Sequence, residues 1–286
     1  MTGSSITYKD VARAKVNLTL HVGRVNENGY HPLQSLVVFA DIADKLCAKA
    51  GKDYSLDIDG PFASQLSARD NLVLNAARRV GGSKRAAFRL VKNLPVASGL
   101  GGGSADAAAA VRVLRKLNQT LSGDLEAVLL EIGADVPVCY LSKTCIMEGV
   151  GERLTPIGGL GQLNAVLVNP GVAVSTQKIF EMFDQLDDTT RRGLAEPLTL
   201  GDDLLEKARG GRNDLQNIAI GIAPVIQTVL DGLEAQAGCQ LARMSGSGAT
   251  CFGVFETPEL ARAAAVLLKE KHPDWWCAPT VLGEAV

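Results

Sequence analysis

The sequence has little of what binding to metal ions, nucleic acids or membranes requires. It contains three histidines, and its six cysteines are scattered, without a C-x-x-C pair or a histidine cluster at metal-ligand spacing. The formal net charge of -2 offers no excess of basic residues to a nucleic acid. No apolar run approaches the roughly 20 residues that span a bilayer. We therefore expect neither a nucleic acid nor a membrane as partner, and cysteines that are buried and reduced.

The chain does have ample material for a packed core. It has 286 residues, of which 47% are hydrophobic, enough for one large domain or two ordinary ones, with two favoured. Residues 1–10 show neither the apolar core of a secretory signal nor the arginine-rich pattern of a transit peptide. We expect a cytoplasmic protein that acts on a small molecule, and no obligate protein partner is evident.

A glycine-rich stretch leads into an alanine-rich helix in the middle of the chain. It consists of Pro95, Val96, Ala97, Ser98, Gly99, Leu100, Gly101, Gly102, Gly103, Ser104 and Ala105. Glycines cost backbone entropy on folding, so such a run suits positions of positive φ or close backbone approach. The start of the helix presents amide groups and a positive dipole end to an anion, of which phosphate is the obvious one. A flexible linker is the alternative.

Two better-known phosphate loops do not fit this stretch. No lysine follows the glycines as a P-loop requires, and counting from Gly99 the sixth position of G-x-G-x-x-G is Ser104. The Ser104 hydroxyl is left as a ligand for a phosphate oxygen or Mg²⁺.

The residues from Val11 to Val22 alternate between apolar and polar, which predicts one strand. Lys15 and Asn17 lie side by side on its polar face. That face is either solvated or part of a site.

A turn at residues 26–29 precedes Tyr30 and His31, and an apolar strand follows through Leu36 to Phe39. The two side chains suit stacking on a nucleobase and recognition of its edge. An ordinary hairpin with an amphipathic tyrosine is the alternative.

Two helices flank the glycine-rich stretch. Asp70 is predicted to cap a helix that runs through Val80, and a second helix spans about residues 124–132. Asp135 follows the second helix, where an aspartate serves either as a cap or in chemistry.

The second half of the chain predicts a β-α-β-β-α-β order, which is ferredoxin-like. Its central strands flank a second glycine-serine loop, Ser245 to Ala249, which suits a hairpin or the close approach of a ligand. A polar insertion lies at residues 187–212.

Four further motifs join the glycine-rich stretch in a resemblance to the GHMP kinases. They are Ala14 to Leu18, Asn28 to His31, Gly133 to Pro137 and Gly246 to Thr250. The resemblance implies an α+β fold of two domains, 1–158 of the ribosomal-S5-domain-2-like type and 159–286 ferredoxin-like. It also implies that ATP donates its γ-phosphoryl group to the 2-hydroxyl of methylerythritol in a cytidine diphosphate substrate, a step of non-mevalonate isoprenoid and terpenoid synthesis.

The resemblance also assigns roles to residues. Lys15 and Asp135 match the catalytic pair, residues 95–105 would bind ATP, and the substrate would contact Asn17, Tyr30, His31 and Thr176. Relatives often have two serines where this chain has Ser104 and Ala105, so Mg²⁺ is expected with ATP but its ligands stay unassigned. A homoserine or mevalonate type of GHMP kinase, and a nucleotide-binding module without catalysis, are the alternatives.

Overall fold

The computed structural model describes residues 7–27, 29–118, 124–186, 193–194 and 203–283. They form two compact units. Unit 1 comprises the described parts of Met1–Ala14, Ile42–Val96 and Gly101–Ser142, and unit 2 those of Lys15–Asp41, Ala97–Leu100 and Lys143–Val286. Each unit draws on alternating stretches of the chain. The division into two domains after residue 158 stays a prediction.

The strands are β1 (Thr7–Asn17), β2 (His21–Val22), β3 (Leu33–Gly51), β4 (Ser55–Asp59), β5 (Arg85–Val91), β6 (Cys145–Gly149), β7 (Arg153–Pro156), β8 (Gln162–Asn169), β9 (Cys239–Met244), β10 (Cys251–Phe255) and β11 (Trp276–Gly283). The helices are α1 (Leu72–Val80), α2 (Gly102–Asn118), α3 (Leu125–Ile132), α4 (Val136–Leu141), α5 (Thr176–Asp184), α6 (Leu204–Gly210), α7 (Gln216–Ile222), α8 (Val225–Glu234) and α9 (Pro258–Lys271).

Unit 1 packs helices on a small sheet. β5 pairs in parallel with β4 and antiparallel with the second half of β3. The alanine-rich α2 is buried along most of its length, because small side chains let it pack closely against α1 and α4. α2 thus carries the end of the glycine-rich stretch into the core.

The cap of α1 corrects one prediction. The N-cap is Asn71, whose side chain accepts a hydrogen bond from Val73 N, and Asp70 lies outside the helix. Gly81 follows the last residue of this helix. The second helix begins where it is predicted, and Asp124 is its N-cap. The short helix α4 was not predicted.

Unit 2 contains the ferredoxin-like sheet that the element order predicts. Its strand order is β11-β8-β10-β9, with every neighbouring pair antiparallel. Side chains from this sheet and from α5, α7, α8 and α9 form a continuous apolar core. The first half of β3 pairs with β2 and β6.

The strand predicted from Val11 to Val22 is interrupted. β1 ends at Asn17 and β2 begins at His21, because Leu18 N donates to Leu36 O while Leu20 N donates to Arg212 O. The polar face is buried, with Lys15 only 4% and Asn17 only 1% exposed. A solvated face is therefore the wrong interpretation of the alternation.

Some predictions fall outside the described residues, namely the turn residue Asn28 and most of the insertion at 187–212. Within the described ranges, no helix combines the length and apolar character needed to cross a membrane. The same ranges contain no group of three or more acidic, histidine or cysteine side chains placed to hold a metal ion. The six cysteines, all of them described, form no disulfide.

Candidate active site

The end of the glycine-rich stretch forms the first turn of α2 in unit 1. Gly101 has φ +62°, and its carbonyl accepts a hydrogen bond from Ala105 N, which starts the helix. The amide groups of a first helical turn have no acceptor within the helix. Those of Gly102, Gly103 and Ser104 are therefore suited to an anion, as predicted for this position.

Residues 98–100 of the stretch belong to unit 2, and their three carbonyl groups accept hydrogen bonds from other residues of that unit. Ser98 O accepts from Thr250 N, Gly99 O from the Ser245 hydroxyl, and Leu100 O from Lys15 N. Gly99 has φ +78°, and a Cβ there would lie 2.5 Å from Ser245 O, so no side chain fits. The second glycine-serine loop thus supports the first.

Asn17 lies where β1 meets this pair of loops. Its backbone N donates to the Ser245 hydroxyl at 3.1 Å, and its Nδ2 donates to the Ser35 hydroxyl at 2.7 Å. Asn17 Oδ1 is buried and has no hydrogen-bond partner among the described residues. A buried acceptor without a donor is costly, and a ligand hydroxyl would relieve that cost.

Asp135 occupies the N-cap position of α4, but its side chain makes no capping hydrogen bond. Capping, the alternative interpretation of this aspartate, is therefore not supported by the geometry. One turn further along α4, the Cys139 thiol lies 4.0 Å from Gly101 O, so this helix contacts the glycine-rich stretch. Asp135 belongs to unit 1 and Lys15 to unit 2, and their catalytic pairing stays a prediction.

Tyr30 and His31 have different environments. The Tyr30 side chain is exposed, with 64% of the residue accessible, and is free to stack on a ligand. His31 Nδ1 donates to Gly23 O at 2.9 Å, and its Nε2 lies 3.1 Å from Asp184 Oδ1. A hydrogen bond from the His31 ring to a base would therefore replace the Asp184 contact.

α5 supplies side chains that the sequence interpretation did not single out. Phe180 stacks on the His31 ring and Phe183 packs against its edge, with centroid distances of 5.3 and 5.5 Å. The Thr176 hydroxyl, at the start of the same helix, lies 2.8 Å from the Ser247 hydroxyl. α5 thus joins the predicted base contact to the second glycine-serine loop. The spacing of its aromatic residues was the available signal.

A buried arginine precedes the second loop. Arg243 donates to three backbone carbonyls, Leu18 O, Ala208 O and Gly211 O, at 2.6 to 2.8 Å. Burial lowers the pKa of its guanidinium to about 10. Nearby, His21 Nε2 accepts from Arg212 N, and burial lowers the pKa of His21. These contacts fix the end of β1 beside residues 208–212.

A cavity of about 380 Å³ opens between α1 and α3 in unit 1. It is lined by Leu72, Asn75, Arg78, Arg79, Glu131 and Ile132. A Cβ at Gly103 would contact the Leu72 side chain at 3.3 Å, so the cavity begins beside the first turn of α2. There is accordingly room for a ligand on this side of the glycine-rich stretch.

Family models match both halves of the chain. The model for the GHMP kinases N terminal domain matches residues 71–143, and that for the GHMP kinases C terminal domain matches residues 194–274. The class of protein is therefore a GHMP kinase, and the predicted α+β fold is confirmed.

Relatives that match nearly the whole chain carry the name of one particular GHMP kinase. A 4-diphosphocytidyl-2-C-methyl-D-erythritol kinase of Cereibacter sphaeroides is 50% identical over 94% of this chain and 96% of its own length. One of Roseobacter denitrificans is 45% identical over 95% and 92%. A crystal structure of 4-(cytidine 5'-diphospho)-2C-methyl-D-erythritol kinase superimposes with a TM-score of 0.77 at 32% identity, covering 97% of this chain and 100% of that one. The chain belongs to the 4-diphosphocytidyl-2-C-methyl-D-erythritol kinase family.

Proposed function

We propose that this protein transfers the γ-phosphoryl group of ATP to the 2-hydroxyl of 4-diphosphocytidyl-2-C-methyl-D-erythritol, as a step of non-mevalonate isoprenoid synthesis. The observation that carries the proposal is identity of 45% and 50%, over more than nine-tenths of both chains, to enzymes that bear this name. Location in the cytoplasm stays a prediction from the sequence.

ATP would bind with its phosphates on residues 95–105. The first-turn amide groups of α2 supply donors and the positive end of a helix dipole. ATP would bring Mg²⁺, which prefers oxygen ligands and is usually held by phosphates, water and few protein groups. The half-buried Ser104 hydroxyl in this turn is an oxygen of the right kind, and bound Mg²⁺ would neutralise charge on the phosphates.

Lys15 and Asp135 would perform the chemistry. The substrate oxygen attacks the γ-phosphorus, the bond to the β–γ bridging oxygen breaks, and ADP leaves. The Asp135 carboxylate orients the hydroxyl and accepts its proton, while the Lys15 ammonium offsets charge on the transferring group. Because such transition states are usually loose, most of the acceleration comes from positioning and electrostatics.

The cytidyl group would be recognised on unit 2. The exposed Tyr30 ring suits stacking on the base, while His31 is held in place by Phe180 and Asp184. Asn17 Oδ1 offers an acceptor to a substrate hydroxyl, and Thr176 would line the same side.

The substrate assignment is tested by coupled ADP release from ATP. We expect ADP formation with 4-diphosphocytidyl-2-C-methyl-D-erythritol and none above background with homoserine or mevalonate. The reverse pattern would establish another GHMP kinase activity. Absence of turnover with all three, despite ATP binding, would support the non-catalytic alternative.

The role of Asp135 is tested by Asp135→Asn, with Asp124→Asn as the matched control. We expect kcat to fall by a factor on the order of 10² or more for Asp135→Asn, with ATP binding nearly intact, because a positioned base is lost. Asp124 caps α3, and asparagine caps equally well, so this control should keep the parent kcat. An unchanged kcat for Asp135→Asn would remove Asp135 from the mechanism.

A further inference from the structure

A cluster of three charged side chains is buried in unit 1, next to the glycine-rich stretch. Lys92 Nζ lies 2.5 Å from Asp44 Oδ2 and 2.7 Å from Asp106 Oδ2. The side chains of Lys92, Asp44 and Asp106 are 2%, 0% and 4% exposed. Burying three ionisable groups is expensive unless they compensate one another, so the cluster needs an explanation.

The cluster holds the chain where it enters the glycine-rich stretch. Asp44 Oδ1 accepts hydrogen bonds from the backbone amides of Asn93 at 2.6 Å and Leu94 at 2.9 Å, while its Oδ2 accepts from Lys92. One carboxylate thus fixes three consecutive residues that directly precede Pro95.

The cluster also holds the chain where it leaves the stretch. Asp106 lies in α2 shortly after the predicted phosphate-binding amides, and a Cβ at Gly102 would be only 3.1 Å from Lys92 Nζ. The Lys92 ammonium therefore packs directly against the first residue of the helix. The stretch itself has few side chains that could fix its shape, and Ala97, Gly99 and Gly101 have positive φ.

The two carboxylates are not equivalent. Asp44 Oδ1 has two amide donors, whereas Asp106 Oδ1 is buried without a partner among the described residues. Burial, only partly offset by the Lys92 ammonium, raises the pKa of the Asp106 carboxyl. Burial disfavours charge on Lys92 too, but the two carboxylates outweigh it and raise the pKa of Lys92. The charge pair is therefore Asp44 with Lys92, and a neutral group suffices at position 106.

We propose that the Asp44–Lys92–Asp106 cluster is a positioning device that fixes both ends of the glycine-rich stretch and so aims the first-turn amides of α2 at the ATP phosphates. This inference rests on the proposed ATP site. The effect of the cluster passes through the backbone of residues 93–94 and 102.

The test compares Lys92→Met, Asp106→Asn and a control, Arg89→Met, which removes an exposed ion pair of the same unit. Arg89 on β5 lies 2.8 Å from Asp59 on β4. We expect the Kd of a non-hydrolysable ATP analogue, measured by calorimetry, to rise at least tenfold for Lys92→Met. Asp106→Asn should stay within about twofold of the parent, and Arg89→Met should not change the Kd. The KM of the cytidyl substrate at saturating ATP should be the parent's in all three.

A folded Lys92→Met protein with the parent Kd would overturn the proposal, as would an Asp106→Asn protein that loses as much affinity as Lys92→Met. If Lys92→Met does not fold, Asp44→Asn keeps the shape and weakens the ion pair. We expect it to raise the Kd at least threefold and to speed amide hydrogen exchange at residues 101–104, and parent values for both would overturn the proposal.

The two proposals fail in different ways. A parent protein that binds the ATP analogue but forms no ADP with the cytidyl substrate would refute the proposed substrate alone, and the Kd series would still decide on the cluster. A parent protein that binds no ATP analogue would overturn both.

Discussion

A buried cation precedes each of two loops, the glycine-rich stretch (the first loop) and the glycine-serine loop from Ser245 to Ala249 (the second loop). The two cations are compensated in different ways. Lys92, ahead of the first loop, faces two carboxylates. Arg243, ahead of the second, donates only to neutral carbonyl groups. Removal of the Lys92 charge leaves an opposite charge behind in the core, whereas removal of Arg243 leaves only the dipoles of carbonyl groups. The first loop is thus fixed by charge and the second by hydrogen-bond geometry.

The largest effect should come from removing the Lys92 charge. We expect Lys92→Met to lower the free energy of unfolding by about 3–5 kcal/mol, because the buried carboxylate of Asp44 is left uncompensated. Urea denaturation measures this. Adding Asp44→Asn and Asp106→Asn to Lys92→Met should restore more than half of the loss. A triple variant no more stable than the single one would show that packing, rather than charge, dominates at Lys92.

A smaller loss is expected at the second loop. Arg243→Met should cost about 2–3 kcal/mol, since three buried carbonyls lose a charged donor but no opposite charge remains. Arg243→Lys should recover little, because an ammonium cannot reproduce the planar fork of donors. If Arg243→Lys were as stable as the parent, the positive charge rather than the fork of donors would account for the contribution of Arg243, as charge does at Lys92.

The Asp106 carboxyl should make the first site weaker as pH rises. Burial raises the pKa of this carboxyl in the folded protein. Its stabilising contribution is therefore complete at a pH below the ordinary pKa of an aspartate, and it is lost as the pH rises through the raised pKa. Between about pH 5 and pH 8 we expect the parent to lose stability relative to Asp106→Asn. Parallel pH profiles of the two proteins in urea denaturation would contradict this.

The surroundings of the second loop should respond to pH in the opposite direction, through His21. Burial, reinforced by Arg212, lowers the pKa of His21 from 6.5. Its contribution is complete above about pH 6.5 and falls as the pH drops toward the lowered value. We expect the free energy of unfolding to fall as the pH drops below about 6.5, and we expect this fall to be absent in His21→Gln. A glutamine variant with the parent's acid sensitivity would assign the loss to other groups.

Much of the fold could be predicted from the sequence where one local rule decides. Ser175 and Thr257 cap their helices, as serine and threonine commonly do. The predicted β-α-β-β-α-β order agrees with the ferredoxin-like sheet observed in unit 2. The extent of β3 could not be predicted, because Asp41, Asp44 and Lys45 interrupt its apolar pattern. Their partners, such as Thr280 for Asp41, come from distant parts of the chain.

The candidate site could be predicted where its residues lie in a single sequence motif. The glycine-rich stretch, Lys15 and Asp135 are conspicuous in the sequence, whereas the cluster at Lys92 joins residues separated by 48 and 14 positions. One signal was present, since Asp106 is an acid at the start of an alanine run that becomes fully buried. Neither spacing nor periodicity identifies the lysine that compensates it.

The interleaved units also set a time order for assembly on the ribosome. Gly99 and its partner Ser245 are 146 residues apart, and Thr250 is made later still. A nascent chain that already contains the whole glycine-rich stretch therefore lacks the groups that hold residues 98–100. Contacts between such distant residues form late, after most of the chain has been synthesised. Synthesis must nearly finish before the glycine-rich stretch can take its final shape.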